Sequence, residues 1–384
     1  MKTKRLFDES SYIREFTATV LSCEQKGKGY EIVLDETAFF PEVGGQPADA
    51  GKINDATVLD VQEKGDVIVH YLETPFAVGE KVRGTLDWEK RFSIMQGHSG
   101  EHLVTGIIHS RYGFDNIGFH MGKEAISIDF NGDVPEEDLL SIEKAANEAV
   151  WANVSTEILY PDAETLKTLE YRSKKEIEGQ VRIVVFPGYD SCACCGTHIA
   201  RTGEIGMIKI IGTVRMHGGT RIDIVCGRQA LEYLDQLCAG NRETELLLSA
   251  KPLETAKAVR KLFDDRFDLT VQLSQMKHRL YDMLAKTAEG KENCLLFAED
   301  LTSDGVRELT IAAMEYCTGI AAVFSGDEEN GYKYAVGGKN ADLREFGKEL
   351  NKALQGRGGG KPIFIQGSVQ AKRGEIETFF ADFT

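Results

Sequence analysis

The sequence predicts an α+β protein with several domains. A chain of 384 residues exceeds what one hydrophobic core usually supports, and a hydrophobic content of 42% is enough for globular packing. Short β segments come first, strands and helices mix next, and a helical stretch precedes a final α/β segment. We therefore expect four domains, at residues 1–90, 91–230, 231–290 and 291–384.

Residues 1–90 are expected to form a small β-barrel. Rough alternation over the Thr/Val-rich residues 13–23 predicts a first strand, and Gly27-Lys28-Gly29 turns the chain into a second strand at 30–34. Several short strands with glycine turns between them are typical of a small barrel. Further strands are expected at 58–61, 67–72 and 81–86.

A long helix from Trp88 to about His109 is expected next, with Asp87 as its N-cap. Apolar side chains fall on one stripe of this helix, and His98 and His102 continue that face. Glycines interrupt it at positions 97, 100 and 106, and each costs up to about 1 kcal/mol relative to alanine. We expect something to approach the helix backbone closely at these positions.

The remainder of residues 91–230 predicts an α+β domain. Its expected strands are 125–130, 155–160, 181–186, 205–211 and 221–225, and its expected helices are 135–153 and 162–178.

Residues 231–290 predict a helical linker, interrupted at Pro252 and at 268–270. A short coiled coil is one interpretation of this segment, although its heptads are irregular, and we expect a homodimer that forms through the helical linker or through the C-terminal domain. The final α/β domain is expected to contain strands at 294–297, 320–324 and 332–336, helices at 305–316 and 340–355, and a closing strand after 362.

The charge is unevenly distributed. A net charge of −16 argues, for the whole chain, against a nucleic-acid partner. Residues 330–373, however, hold nine Lys/Arg against three Asp/Glu, a local charge of +6. A solvated face and a phosphate-binding patch both remain open as interpretations of this segment.

The cysteines indicate a reducing compartment, and we expect a cytoplasmic protein. Three of the eight cysteines lie within four residues, at 192, 194 and 195, which favours a metal or redox cluster over a disulfide framework. No apolar run approaches the roughly 18–20 residues that span a bilayer, and no secretory signal precedes the first strand.

A metal site is predicted by two short runs of ligand-type residues. His98 and His102 are four residues apart, so a helix places both rings on one face. Cys194 and His198 supply a thiolate and a third imidazole. This soft and borderline ligand set suits Zn²⁺. Spacing alone leaves Cys192 and Cys195 open as competitors of Cys194.

Two other motifs carry alternatives. His98-x-x-Glu101-His102 also fits the inverted zinc-protease pattern, in which Glu101 is the general base. Four protein ligands, however, are typical of a closed, structural site. Gly356 to Pro362 matches no nucleotide-binding fingerprint; it is either a flexible turn or a loop whose backbone N–H groups cradle a phosphate.

The motifs resemble a known family. Leu34–Pro47, Asp87–Arg91, the pair His98/His102 and the run Cys194–His198 resemble the editing domain of alanyl-tRNA synthetase and its free-standing relatives, the AlaX trans-editing proteins. Gly356–Gln366 resembles the glycine-rich end of the DHH-associated domain. No motif of the aminoacylation domain precedes the barrel motifs, so we expect the long form of AlaX.

The resemblance implies an activity and a site. It implies hydrolysis of the ester in mischarged Ser-tRNA(Ala), and of Gly-tRNA(Ala) in the same family, by a protein whose Zn²⁺ is bound by His98, His102, Cys194 and His198. Thr37 lies where the family pattern implies contact with the serine hydroxyl. Two departures stand out: Cys195 replaces a glycine of the usual Cys-Gly-Gly-Thr-His, and Val43 replaces the first glycine of a triplet.

The chemistry of editing suggests further roles. Glu101 and His120 are possible proton carriers, and Asp129 is a possible acceptor for a ligand His N–H. Ordinary alternatives are a solvated helix residue for Glu101 and a strand-end polar group for Asp129. A non-enzymatic tRNA-binding module with a structural zinc ion stays open as well. The helix glycines would let the CCA end of a tRNA approach.

We expect tRNA binding to use the basic segment 330–373, with the helical linker. The residues expected to contact tRNA are Arg357, Gly358, Gly359, Gly360 and Lys361.

Overall fold

A computed structural model describes residues 2–173 and 179–381. The chain forms two compact units, Met1–Glu243 and Thr244–Thr384. Each unit combines helices with β-sheets, which confirms a multidomain α+β fold. The expected division into four domains remains a prediction. Among the described helices, none has the length and apolar character needed to cross a membrane.

The first unit begins with a strongly curved seven-stranded sheet, in the order β6-β5-β9-β2-β3-β8-β7. Just beyond β6, the N–H of Leu59 donates to the carbonyl of Tyr71 in β8 (2.8 Å), so the sheet closes almost into the expected barrel. β1 and β4 form a separate parallel pair. The elements are β1 Lys4–Arg5, α1 Leu6–Glu9, β2 Glu15–Lys26, β3 Gly29–Leu34, β4 Glu36–Thr37, β5 Gly51–Ile53, β6 Ala56–Val58, β7 Asp60–Lys64, β8 Val67–Leu72 and β9 Lys81–Leu86.

The central helix α2 spans Trp88–Tyr112. The Asp87 carboxylate accepts a hydrogen bond from the first turn, which confirms the predicted N-cap, and Gly113 ends the helix in the left-handed conformation (φ 71°). Arg91 is fully buried; it pairs with Asp49 and donates to two carbonyls of the barrel segment. This paired, fully hydrogen-bonded charge fixes α2 against the barrel.

Two further sheets complete the first unit, in the orders β10-β11-β16-β15 and β12-β13-β14. The side chains of α2, α3 and the four-stranded sheet pack into one hydrophobic cluster. The elements are β10 Asn116–Met121, β11 Ile126–Phe130, α3 Leu139–Ala152, β12 Glu157–Leu159, α4 Ala163–Leu166, β13 Ile183–Phe186, β14 Asp190–Ala193, β15 Ile208–Met216 and β16 Gly219–Cys226.

The helix expected at 162–178 is wrong in its extent. Asp162 caps a helix as its carboxylate accepts from the N–H of Thr165, but α4 ends at Leu166. The backbone of Arg172 pairs instead with Ser191 and Ala193, so tertiary hydrogen bonds take the groups that a longer helix would need. Residues 174–178 of that expected helix lie outside the described residues.

The second unit is built around a five-stranded sheet in the order β17-β18-β19-β21-β20; among the described strands of this sheet, β17 and β18 pair in parallel and the other neighbours are antiparallel. The helix α5, Gly227–Leu248, crosses the division between the units. The other elements are α6 Thr255–Ala285, β17 Cys294–Ala298, α7 Ser303–Ala313, β18 Ile320–Asp327, β19 Gly331–Gly338, α8 Leu343–Ala353, β20 Arg357–Lys361, β21 Phe364–Val369 and α9 Arg373–Ala381.

Two expectations for this unit need correction. The predicted break at Pro252 is confirmed, but 268–270 does not interrupt α6, since the Thr270 hydroxyl donates to the Arg266 carbonyl within the helix. The glycine-rich segment is neither a loop nor a phosphate cradle. It forms the edge strand β20, and successive N–H groups of an extended strand point in alternate directions.

Candidate metal centre and pocket

Four predicted ligand residues come together in the first unit. His98 and His102 project from one face of α2, one turn apart, while Cys194 and His198 come from the turn that follows β14. Their candidate ligand atoms all lie within 4.8 Å of one another. The three imidazoles are buried and the thiol is half-buried.

The distances between these atoms fit tetrahedral coordination of one metal ion. The Sγ atom of Cys194 lies 3.5 Å from Nε2 of His98 and 3.3 Å from Nε2 of His198. Ordinary Zn–S and Zn–N bond lengths at a tetrahedral angle place such atoms about 3.6 Å apart. The residues present therefore fit a Zn²⁺ ion.

Each imidazole is oriented through its other ring nitrogen. The Nδ1 atom of His98 lies 2.9 Å from Oε1 of Gln46, and Nδ1 of His198 lies 3.2 Å from the Ser99 hydroxyl. The Nδ1 atom of His102 lies 2.7 Å from the Asp190 carboxylate. All three Nε2 atoms are thereby directed at one point, as in sites where outer groups fix the ligand tautomer.

Two of these orienting groups are themselves held. Arg172 makes a bidentate pair with Asp190, at 2.8 and 2.9 Å. The Gln46 amide accepts from the backbone N–H of Thr197 (3.1 Å) and donates to its hydroxyl (3.0 Å). Gln46 thus joins the barrel, α2 and the thiol turn in a single network.

The electrostatics of the cluster suit a metal ion. Burial alone would raise the pKa of the Cys194 thiol, but the imidazoles of His98 and His198 hold that pKa well below its usual value. Burial lowers the pKa of His198 to about 3. For His102, burial opposes the charge, but the hydrogen bonds to Asp190 and Cys194 together with the negative charges of Cys194 and Glu101 raise the pKa, so a metal ion has to displace a proton from this ring. A thiolate and neutral imidazoles are the forms that bind metals.

The three neighbouring thiols occupy different surroundings. Cys194 alone of the three belongs to the four-residue cluster. Cys195 is exposed beside the pocket, and Cys192 is buried on β14 near His102 and Asp190. The geometry therefore supports Cys194, the choice that the sequence left open.

The cluster lines a cavity of about 520 Å³. Phe119 stacks on the ring of His98, with centroids 5.0 Å apart, and forms part of a largely apolar wall with Val43 and Ile117. Glu101 also borders the cavity. It is buried, and it accepts hydrogen bonds from Thr105 (2.9 Å) and Asn116, so the interpretation of Glu101 as a solvated helix residue is wrong.

Other predicted residues lie elsewhere. Thr37 is fully buried in the barrel, where its hydroxyl lies 2.9 Å from Nε2 of His70 and accepts from the Phe39 N–H. His120 is exposed on β10, outside the residues that line the cavity. Asp129 does not contact a ligand histidine; it pairs with Arg221, at 2.6 and 2.8 Å. The roles of Thr37 and His120 in editing remain predictions. The role expected of Asp129, acceptor for the N–H of a ligand histidine, is filled by Asp190.

The helix glycines serve packing within the chain and do not open a path for tRNA. A Cβ atom on Gly100 would lie 2.4 Å from the Cys226 sulfur, and one on Gly106 would lie 2.3 Å from the Tyr189 carbonyl. A Cβ on Gly97 would meet side chains of the four-stranded sheet. The close approach predicted from the sequence is real, but its source is the chain's own β-structure.

Sequence reasoning missed Gln46, Ser99, Arg172 and Asp190. Signals for two of them were present: Gln46 lies in the Gly-Gly-Gln-Pro turn, and Ser99 lies between the ligand histidines. Nothing in the spacing of Asp190 or Arg172 distinguishes them from other surface charges, since their role depends on how β14 faces α2.

Comparison with known proteins agrees with this geometry. Residues 10–90 match the family described as tRNA synthetases class II (A), and residues 181–223 match the threonyl and alanyl tRNA synthetase second additional domain. The second match contains the thiol turn, and the first contains the barrel with Gln46.

Relatives match along nearly the full length. The alanyl-tRNA editing protein Aarsd1-B of Xenopus laevis is 30% identical over 95% of this chain and 94% of its own. The alanyl-tRNA editing protein Aarsd1 of Rattus norvegicus is 28% identical, over 98% and 97%. An alanine–tRNA ligase of Hyperthermus butylicus is 31% identical over 94% of this chain and 42% of the ligase. This chain belongs to the family of AlaX-type alanyl-tRNA editing proteins.

Proposed function

We propose that this protein is a trans-editing hydrolase that cleaves the aminoacyl ester of mischarged Ser-tRNA(Ala), and of Gly-tRNA(Ala), with a Zn²⁺ ion at its site. The observation that carries the proposal is the set of three buried imidazoles and one thiol on the wall of a cavity of about 520 Å³. A hydrogen-bonding partner at Nδ1 orients each of the three imidazoles. Family membership supplies the substrate class.

His98, His102, Cys194 and His198 would hold the ion. A bound Zn²⁺ supplies positive charge that binds the substrate amine or polarises a water near the ester carbonyl. Gln46, Ser99 and Asp190 keep the imidazoles in place.

The cavity wall supports binding of a small acyl group. Val43, Ile117 and Phe119 present apolar surface beside the cluster, which limits the water that reaches it. Glu101 is the carboxylate on this wall, and we propose it as the group that carries a proton to or from the reacting water. His120, exposed and outside the cavity lining, is the weaker candidate for that role.

Discrimination against correct Ala-tRNA(Ala) has a physical basis. Serine adds one hydroxyl to alanine, and a site that hydrogen-bonds this hydroxyl leaves a buried polar group unpaired when alanine binds, at a cost of about 1–3 kcal/mol. Thr37 is the residue proposed for this pairing. Since His70 donates from Nδ1 to the Ile32 carbonyl, its Nε2 accepts the Thr37 proton, and serine would have to compete with that bond.

We propose that the second unit binds the tRNA. Arg357 and Lys361 flank the exposed strand β20 within the basic segment 330–373. Gly358 and Gly360 are required by close packing, because a Cβ on either would lie within 2.4 Å of a β21 carbonyl. Gly359 has open space at its Cβ position, so no neighbouring group covers the middle of the strand between the two cations.

The test is deacylation of purified Ser-, Gly- and Ala-tRNA(Ala), with zinc-loaded protein and after chelation. We expect hydrolysis of Ser-tRNA(Ala) and Gly-tRNA(Ala) but not of Ala-tRNA(Ala). Removal of the metal by chelation should abolish the activity. Binding of tRNA without turnover would instead support a non-enzymatic module with a structural ion. Turnover that survives complete removal of zinc would contradict the zinc-dependent part alone.

A further inference from the structure

A cavity of about 790 Å³ opens at one edge of the five-stranded sheet of the second unit. The parallel strands β17 and β18 both end at this edge, where the residues that follow β17 and the last residues of β18 form one side of the cavity. The start of β19, the end of β21 and the start of β20 form the other side. Crevices beyond the carboxyl ends of parallel strands are common ligand sites, and this volume is in the range of pockets that hold small organic ligands.

Four polar side chains on the lining of this cavity form a row across the sheet. In order they are Ser325 of β18, Lys333 of β19, Ser368 of β21 and Arg357 of β20, each in direct register with the next. Residues directly opposite one another in antiparallel strands point to the same face of the sheet. Because neighbouring strands are about 4.8 Å apart, the backbones of Lys333 and Arg357 are about 10 Å apart, with the Ser368 hydroxyl between the two cations.

The opposite side of the cavity is acidic. Glu299 and Asp300 belong to the loop that follows β17. This loop is held beside the row, because the N–H of Leu301 donates to the buried hydroxyl of Ser325 (2.9 Å). The Asp327 carboxylate, also on the lining, accepts from two backbone N–H groups of its own turn. Glu299 and Asp300 are therefore the carboxylates that can face a ligand.

The charges on the two sides of the cavity do not neutralise one another. In the described part of the chain, neither the two cations of the row nor Glu299 and Asp300 form an ion pair. Other cations of the basic segment 330–373 do pair with a nearby carboxylate. These are Lys339, Arg344, Lys348 and Arg373. The unpaired charges are thus confined to opposite sides of one cavity, where a ligand can reach both.

We propose that this cavity binds one ribonucleotide unit, with its phosphate on the row and its ribose 2′-hydroxyl on the acidic side. Arginine and lysine are common phosphate ligands, and the Ser368 hydroxyl can donate to a further phosphate oxygen. Carboxylates accept hydrogen bonds from ribose hydroxyls in dinucleotide-binding folds. The unit is either a nucleotide of the tRNA backbone, an assignment that rests on the proposed function, or a free nucleotide.

Filter binding of the full chain to uncharged tRNA(Ala) tests the row, and its result does not depend on whether the protein hydrolyses an ester. Lys333→Ala should weaken binding about threefold and lower the slope of log affinity against log salt by about one. Lys339→Ala is the matched control, because it removes the same charge just beyond β19, where Lys339 pairs with Glu315 at 2.9 Å outside the cavity lining. It should leave both quantities unchanged.

Calorimetric titration with each of the four ribonucleoside 5′-monophosphates distinguishes the two sources of the nucleotide. If the ligand is a free nucleotide, one of these probes should bind, Lys333→Ala should weaken it about tenfold, and the affinity for tRNA should stay the same. If the ligand is part of the tRNA, the effect of Lys333→Ala should appear with tRNA alone. An affinity that Lys333→Ala changes for neither ligand would overturn the proposal.

The acidic side is tested by the sign of a double substitution, Glu299→Met with Asp300→Gly. Glycine suits position 300, whose backbone is left-handed (φ 54°). Loss of two acceptors for a 2′-hydroxyl should weaken binding of the nucleotide or tRNA about threefold, although the loss of negative charge alone would strengthen it. The control, Glu289→Met with Glu349→Met, removes two exposed carboxylates outside the cavity lining and should not weaken binding. Tighter binding in both double variants would overturn the assignment of the ribose to the acidic side.

Discussion

The two regions assigned to the substrate differ in how they are built. The metal cluster lies on a helix and a strand-linked turn, and each of its imidazoles is held by a second hydrogen bond. The strand β20 is exposed at a sheet edge, and its two cations extend from the ends of a strand that is otherwise glycine. The first arrangement is suited to orienting one small group, and the second to contacting a long polyanion.

The largest effect is expected from removing the thiol of the cluster. Cys194→Ser should abolish stoichiometric zinc binding and reduce deacylation more than about a hundredfold, since a soft ligand and a negative charge are lost. Zinc content by atomic absorption and Ser-tRNA(Ala) deacylation would measure both.

Cys195→Ser is the matched control, because it changes the adjacent, exposed thiol. It should retain zinc and most of the activity. Zinc lost from the Cys195 variant and kept by the Cys194 variant would show that the described geometry assigns the wrong thiol.

The barrel contains a fourth buried imidazole, that of His70, which lies outside the metal cluster. Burial lowers the pKa of His70 to about 4. The unfolded chain takes up a proton near pH 6.5 that the folded protein refuses, so stability falls as the pH drops from about 6.5 to about 4, by up to about 3 kcal/mol.

His70→Gln should flatten this dependence, since a glutamine amide can both donate to Ile32 and accept from Thr37 without titrating. Urea unfolding at several pH values, with both proteins compared at each pH, separates the contribution of His70 from that of every other group in the chain. Identical slopes for the two proteins would exclude His70 as the source.

The cluster was predictable because the spacing of its ligand residues places each pair close together through local structure, whatever the fold. His98 and His102 share a helix face by arithmetic alone, and Cys194 with His198 needs only a tight turn.

Long-range partners were not predictable in the same way. Asp190 reaches His102 because β14 lies along α2, and α4 ends early because Arg172 pairs with that strand. The glycine-rich segment has the composition of a loop, but it forms a strand because its backbone pairs with β21. Such outcomes depend on tertiary hydrogen bonds, which local propensity does not encode.

A smaller effect is expected from the carboxylate behind the cluster. Asp190→Asn keeps a carbonyl acceptor for His102 but removes the negative charge that holds Arg172, so zinc affinity should fall about tenfold. Competition with a chromophoric chelator would measure it. Asp129→Asn removes a carboxylate from the Arg221 pair on the neighbouring sheet and should leave zinc affinity unchanged; equal losses in the two variants would indicate a general effect on folding.

Substitution of Thr37 tests the proposed recognition of serine. If its hydroxyl contacts the substrate, Thr37→Val should lower the rate on Ser-tRNA(Ala) about tenfold while leaving the rate on Gly-tRNA(Ala) unchanged, because glycine has no hydroxyl to pair. If Thr37 only bonds His70 and the Phe39 backbone, both rates should change together with the melting temperature. The ratio of the two rates therefore separates recognition from barrel stability.

The smallest effects concern the edge strand. Arg357→Ala and Lys361→Ala should each weaken tRNA binding about threefold and lower the slope of log affinity against log salt by about one, because each removes one phosphate contact. Lys348→Ala is the control within the same basic segment, since Lys348 lies on α8 and pairs with Glu345 at 2.8 Å.

An unchanged slope in all three variants would place the tRNA contact outside β20. A uniform fall, with Lys348 included, would show that the net +6 charge of the segment attracts tRNA and that no particular side chain positions it. A slope that falls only for Arg357 and Lys361 requires the tRNA backbone to follow the exposed edge strand β20 between these two side chains.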